Sequence, residues 1–179
     1  FVFTPTESKR LIGKGVAHME EVKTALKKAY IMISHGSTTV YALEEMIGRE
    51  NLLKLMNPAT YMSGIVTRGT LCSTLGSEKP PIVLLKTGFV IPPAPTMYEM
   101  MRDFGADSVV IKGANAVDAE GNASSLVSHP EGGTIGWALG TVLARGIQLI
   151  APVGLEKMIP SVKQAVALCG QRTFDYTQG

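Results

Sequence analysis

The stretch "ISHGSTTVYALEEMIG", residues 33–48, joins two kinds of pattern. It closes the short apolar run "YIMIS" (30–34), which reads as a buried strand. It then passes through Ser34, His35, Gly36, Ser37, Thr38 and Thr39 and enters "TTVYALEEMIG", whose apolar residues recur at helical spacing up to Gly48. A strand, a small-residue turn and a helix in that order are the opening half of a βαβ unit, the building block of sheets covered by helices. One glycine or one capping residue would suffice for the turn. This one carries a glycine, a histidine and four hydroxyls where the N–H groups of a helix start lack partners.

Working outward, the same alternation continues. "ESKRLIGKGVAHMEEVKTALKKA" (7–29) has mixed apolar and charged residues at roughly helical spacing, with Thr6 or Ser8 as candidate caps. Residues 51–81 are less regular, and "YMSGIVTRGTLC" (61–72) reads as one or two strands. "PIVLLKTG" (81–88) is a short apolar strand. "FVIPPAPT" (89–96) is rigid, because Pro92, Pro93 and Pro95 fix φ and remove donors. Thr96 with Glu99 forms a capping-box pattern for the helix "MYEMMRDFG" (97–105).

"DSVVIKG" (107–113) and "IQLIAPVG" (147–154) read as strands, and "TIGWALGTVLARG" (134–146) as a helix. Residues 114–133 form loops with room for a short strand, and "LEKMIPSVKQAVALCG" (155–170) is helical but broken at Pro160. The expected fold is therefore α/β: a three-layer, Rossmann-like single domain over residues 1–179, with a mostly parallel sheet and helices on both faces. Ligands of such sheets bind beyond the carboxyl ends of the strands. The polar loops 34–39, 86–88, 112–118, 129–134 and 151–157 are expected to share that rim.

Composition narrows the partners. Charged residues make up 18% of the chain and apolar ones 45%, and the net charge is only +2, with no basic stripe. Nucleic-acid binding needs clustered positive charge, so none is expected. No apolar run reaches the ~20 residues of a membrane span, so no membrane partner is expected. Cys72 and Cys169 lie far apart with no metal-ligand spacing and suit free thiols in a reducing compartment, hence a cytoplasmic protein. The chain opens on Phe1 rather than Met, as a trimmed chain would. A homo-oligomer is expected.

Three stretches carry candidate chemistry. In the first, Gly36 permits close backbone approach, the N–H groups of Ser37 to Thr39 start a helix, and their hydroxyls add donors, which together suit phosphate or carboxylate. An ordinary N-cap is the other reading. In "KGANAVDAEGN" (112–122), Lys112 is a candidate anion clamp, with Lys86 as a second positive group. Asn115 is a candidate ligand contact and Asp118 a proton acceptor, against a hairpin with Asx turns. In "HPEGGT" (129–134), Gly132 and Gly133 precede a helix capped by Thr134, and His129 and Glu131 are candidates for proton transfer. His35, His129 and Asp118 allow a metal site on residue type, but no H-x-H or H-x-x-x-H spacing supports it, so neither metal nor cofactor is expected.

Taken together, these stretches resemble the superfamily of ribose-5-phosphate isomerase type A, glucosamine-6-phosphate deaminase, the CoA transferases and methylthioribose-1-phosphate isomerase. Ser34-His35-Gly36-Ser37-Thr38 matches the isomerase's phosphate-holding G-T-G-S-T turn, less its first glycine. Lys112-Gly113-Ala114-Asn115-Ala116-Val117-Asp118 matches its D-G-A-D-E-[VI]-D segment, and His129-Pro130-Glu131-Gly132-Gly133 its K-G-x-G-G loop. The order of elements agrees over roughly residues 30–157, the motifs over some twenty positions. The resemblance implies a small phosphorylated or carboxylated metabolite as ligand.

The departures remove the isomerase's chemistry. Its two aspartates are Lys112 and Asn115 here, its lysine is His129, and the glutamate serving as base falls near Ala138. Moving a proton between carbons needs a positioned base. Three readings follow: a divergent enzyme with altered chemistry, a non-catalytic metabolite-binding or regulatory domain, or an interaction subunit whose rim a partner buries.

Overall fold

The computed structural model describes residues 2–67, 70–73, 77, 79–127, 129 and 131–168, with 64–67 and 70–73 described by their backbone alone. The sequence expected one N-terminal helix; there are two, α1 (Pro5–Ala17) and α2 (Glu20–Lys28). Their break falls at His18, whose N–H closes α1 on the carbonyls of Gly15 and Val16. The cap is Thr4 rather than Thr6 or Ser8: its side chain accepts from the Glu7 N–H while the Glu7 carboxylate accepts from the Thr4 N–H, a complete capping box. Strand β1 (Tyr30–Ile33) follows, then helices α3 (Thr39–Ile47) and α4 (Arg49–Leu55).

The region 61–72 resolves into a hairpin of β2 (Gly64–Thr67) and β3 (Thr70–Ser73). Next come β4 (Val83–Lys86), β5 (Phe89–Ile91), a single helical turn α5 (Met97–Met100) with the expected Thr96–Glu99 capping box, and β6 (Val109–Ile111). A small hairpin, β7 (Ala116–Val117) with β8 (Ala123–Ser124), leads to α6 (Gly133–Arg145), β9 (Gln148–Ile150) and α7 (Val162–Ala167). The last helix therefore starts after Pro160, and the expected extension through Cys169 and Gly170 lies outside the described residues.

The main sheet has the order β5-β4-β1-β6-β9. β1, β6 and β9 are parallel neighbours, in the registers Ile33↔Ile111 and Ile111↔Ile150. β4 alone runs the other way. Its reversal against β5 is local: Thr87 (φ 47°) and Gly88 (φ 83°) both adopt positive φ, the two-residue turn that folds β4 straight back into β5. The prolines after Ile91 obscured β5 in the sequence reading, and an edge strand is where neighbouring prolines are tolerated.

Alternate strand residues enter separate cores, as the two-residue period of a strand requires. Ile31, Ile33, Val83, Leu85, Val109, Ile111 and Ile150 pack with Val16 and Val22 from α1 and α2, and with Leu43 and Leu52 from α3 and α4. Met32, Leu84 and Val110 pack with Met97 of α5 and with Ala138 and Val142 of α6. The molecule is thus mixed α/β with a mostly parallel five-stranded sheet.

One close approach sets α3, and with it the turn before it. A Cβ on Gly13 would lie 2.7 Å from the Ala42 nitrogen and from Tyr41 backbone, so α1 and α3 cross nearly in backbone contact. Arg10 reinforces the crossing, its guanidinium 4.6 Å from the Tyr41 ring centroid and 3.0 Å from Glu44 Oε1. Among the described residues no helix is long and apolar enough to cross a membrane.

Candidate functional site

Because β1, β6 and β9 are parallel neighbours, the segments after Ile33, Ile111 and Ile150 emerge side by side. Backbone bonds carry the ladder past the strands: Ser34 N–H donates to Ile111 O (2.9 Å), Lys112 N–H to Ile150 O (2.9 Å) and Ala114 N–H to Pro152 O (3.4 Å). Three of the five expected loops therefore meet.

Lys86 is at the other end. Its partner in register is Tyr30, at the start of β1, and its ammonium sits 5.2 Å from the Tyr30 ring centroid. The reversal of β4 separates it from the rim that the sequence reading assigned to it.

The turn 34–38 is tied by hydrogen bonds of its own. Thr39 is fully buried, and its hydroxyl donates inward to Ser34 O (2.6 Å) and Gly36 O (3.0 Å), so it ties the turn rather than facing a ligand. Thr38 is buried as well and makes no side-chain cap to α3. Gly36 N–H donates to Tyr61 O (3.0 Å), and a Cβ there would stand 3.0 Å from Thr39 Oγ1. The N–H groups of Ser37, Thr38 and Thr39 have no acceptor among the described residues. Ser34 is 1% exposed and its hydroxyl has no hydrogen-bond partner there either, which is uncommon for a buried polar group.

His35 is half-buried, its ring centroid 4.8 Å from that of Tyr61, and its Nε2–H donates to Pro80 O at 2.6 Å. Burial pushes its pKa down, and the charges of Lys79 and Lys112 add to that, against the Pro80 hydrogen bond.

Two lysines converge on the rim. Lys112 Nζ donates to Gly113 O (3.2 Å) and Lys157 Nζ to Ala114 O (2.8 Å), two consecutive carbonyls. Burial lowers the pKa of Lys112, and Lys157 lowers it further. Burial also lowers Lys157, with Lys9 acting the same way and Glu156 opposing. Among the described residues neither lysine forms an ion pair; the nearby Glu156 carboxylate lies 3.9 Å from Lys9 instead. Lys157 was missed from sequence because it lies some forty-five residues beyond Lys112 inside "LEKMIPS", where nothing distinguishes it from a solvated lysine.

The candidate acids fare differently. Asp118 is 5% exposed, and its carboxylate accepts from the N–H groups of Val162 (2.9 Å), Asn122 (2.9 Å) and Glu120 (3.1 Å) and from the Asn122 amide. The Val162 N–H first, then burial opposing and the Asn122 and Glu120 donors, leave its pKa lowered overall. It closes the β7–β8 turn and anchors the start of α7, the hairpin alternative of the sequence reading.

Asn115 is structural in the same way: its side chain accepts from Leu126 N–H (3.0 Å). His129 and Glu131 are exposed, with Glu131 N–H donating to His129 Nδ1 (3.1 Å) and the His129 ring edge-on to Trp137. No hydrogen bond or ion pair among the described residues links either of them to the turn or to Lys112. Gly132 (φ 84°) is the cap of α6 and Gly133 its first residue, so Thr134 lies inside the first turn instead of capping it.

A shallow cleft lies elsewhere among the described residues. It is lined by Glu20, Glu21, Thr24, Asp107, Ser108 and Gln148 and opens at the amino ends of β6 and β9, away from the lysines. Two of its acids are already paired, Glu20 with Lys23 and Asp107 with Lys28. Its shape alone offers no converging chemistry, whereas the opposite rim combines cations and backbone donors that have no ionic or acceptor partner among the described residues.

No protein-family model, curated protein or solved structure matches the chain.

Proposed function

We propose that the chain binds a small phosphorylated or carboxylated metabolite at the carboxyl edge of its sheet, between the start of α3 and the Lys112–Lys157 pair. The observation that carries this reading is the pair itself. Two ammonium groups rest on the consecutive carbonyls of Gly113 and Ala114, and among the described residues neither pairs with a carboxylate. An anion there would relieve their mutual repulsion and meet charge-assisted hydrogen bonds. The free N–H groups of residues 37–39 and the unpartnered Ser34 hydroxyl support the same reading. So does the mostly parallel sheet, since ligands of such sheets sit at this edge; a three-layer, Rossmann-like arrangement is part of the proposal.

Membership of the ribose-phosphate isomerase-like superfamily fits the strand–turn–helix and the position of Lys112, but not that family's chemistry. Asp118 is occupied with structural donors, and Lys112 and Asn115 stand where the isomerase has acids. We therefore read the site as anion-binding first, without aldose–ketose isomerisation. A cytoplasmic homo-oligomer is part of the same proposal, and sedimentation of the purified chain reads the assembly directly.

Calorimetric titration with inorganic phosphate, 2-phosphoglycolate and glycerol 3-phosphate tests the site. Binding should weaken by about 1.5–3 kcal/mol in Lys112→Ala, the usual worth of a hydrogen bond to a charged group. Equal affinity in the variant, or no binding of any of the three, refutes the reading.

A further inference from the structure

We propose that the Lys112 amine is a nucleophile that condenses with the carbonyl of a small anionic oxo compound, whose anionic group is held by Lys157 and the start of α3. The inference rests on the reading of this rim as an anion site and adds a covalent step to it. A nucleophilic lysine needs a free lone pair, a fixed position and a substrate delivered to it.

Position comes from the hydrogen bond of Nζ to Gly113 O at 3.2 Å, on a residue whose own N–H is locked to Ile150 O. The lone pair is favoured by what surrounds the group: the side chain is half-buried, a second ammonium sits on the adjacent carbonyl, and among the described residues no carboxylate pairs with it. The lowered pKa of Lys112, set by burial and then by Lys157, agrees with that arrangement. A desolvated lysine beside another cation is a recurrent way of making an amine reactive near neutral pH. Delivery falls to the remaining positive features, Lys157 and the N–H groups of Ser37 to Thr39, which have no acceptor among the described residues.

The step balances without any further reagent. The ammonium first loses its proton to water. The Nζ lone pair then attacks the carbonyl carbon, a C–N bond forms, and the carbonyl π pair takes up a proton to give a carbinolamine. Loss of water breaks the C–O bond and leaves an imine, so amine and carbonyl yield imine and water. Hydride from borohydride reduces the C=N bond to a stable secondary amine.

The test uses the full chain at neutral pH with glyoxylate, with glycolaldehyde phosphate and with neutral propanal, each followed by borohydride and peptide mapping by mass spectrometry. Adduct on Lys112 should exceed that on the exposed Lys86 by about tenfold for both anions, the lower end of what charge focusing in a site achieves. Propanal should show no such preference, and inorganic phosphate should suppress the anionic labelling. Lys112→Arg should abolish the adduct while circular dichroism and the thermal midpoint stay those of a folded protein. Anion binding by calorimetry without adduct on Lys112 overturns the imine and leaves the anion site standing. Adducts spread over exposed lysines, with no anion binding, overturn both. Equal labelling of Lys112 by propanal overturns the substrate class.

Discussion

Replacing Tyr61 by Phe removes a single oxygen from a residue with no exposed surface. That oxygen does two things: it donates to Ile33 O and accepts from Val83 N–H at 3.1 Å, bridging the last register pair of β1 and β4. Phenylalanine keeps the ring, its packing in the core and the His35 contact, so no cavity of consequence forms. What remains is a buried carbonyl and a buried N–H that no water reaches. Each orphaned group costs about 1–2 kcal/mol here, so the variant should lose roughly 2–4 kcal/mol. In a chain of this length, that lowers the thermal midpoint by roughly 5–15 °C. Burial pushes the phenol far above its ordinary pKa, opposed only by the Val83 donor, so the hydroxyl stays a donor at any working pH. Urea unfolding should show a lower midpoint with an unchanged slope, because the surface exposed on unfolding is the same. Tyr98→Phe is the control, since Tyr98 is 72% exposed and should change stability by less than about 0.5 kcal/mol. A Tyr61→Phe loss as small as that of the control would show that the bridge contributes nothing.

Gly13→Ala should cost about 1–3 kcal/mol in denaturant unfolding, since the new Cβ meets α3 backbone at 2.7 Å; an unchanged midpoint would mean that α1 yields freely. Asp118→Asn should lower the thermal midpoint, with the difference from wild type shrinking as pH falls through the lowered pKa, and leave phosphate affinity intact; lost binding would return Asp118 to the site. Burial holds the folded His35 below its ordinary pKa, so as pH falls the unfolded chain takes the proton first. His35 therefore costs no stability above about pH 6.5 and an increasing amount below it. Unfolding free energies from pH 7.5 to 5.5 should converge on that account in His35→Gln, and parallel curves would sink it. Ribose 5-phosphate should not be turned over by the purified protein, and isomerisation above a no-enzyme control would contradict the reading of Lys112 and Asn115.

The sequence by itself determined the elements whose cause is local. "YIMIS" is a short, continuously apolar run between helical patterns, which reads as a buried strand, and Thr96 with Glu99 has the spacing of a capping box; both elements form as read. The same holds for the strand–turn–helix at 33–48, where β1 ends at Ile33 and α3 starts at Thr39. The Thr87-Gly88 turn is local too, since two consecutive residues of positive φ fold β4 back into β5.

What the tertiary structure decided is where polar side chains spend their hydrogen bonds. Asp118 looks like a base in sequence, but Val162, forty-four positions away, donates to its carboxylate. Thr39 looks like a ligand contact until its hydroxyl is found on Ser34 O. Lys157 lay at the end of a loop expected on the rim but was not itself a candidate, and it joins Lys112 because β6 and β9 are parallel neighbours whose following segments run together. A side chain's type is local, but its free valence depends on which distant backbone the fold brings within about 3 Å of it, and that distance is set by packing.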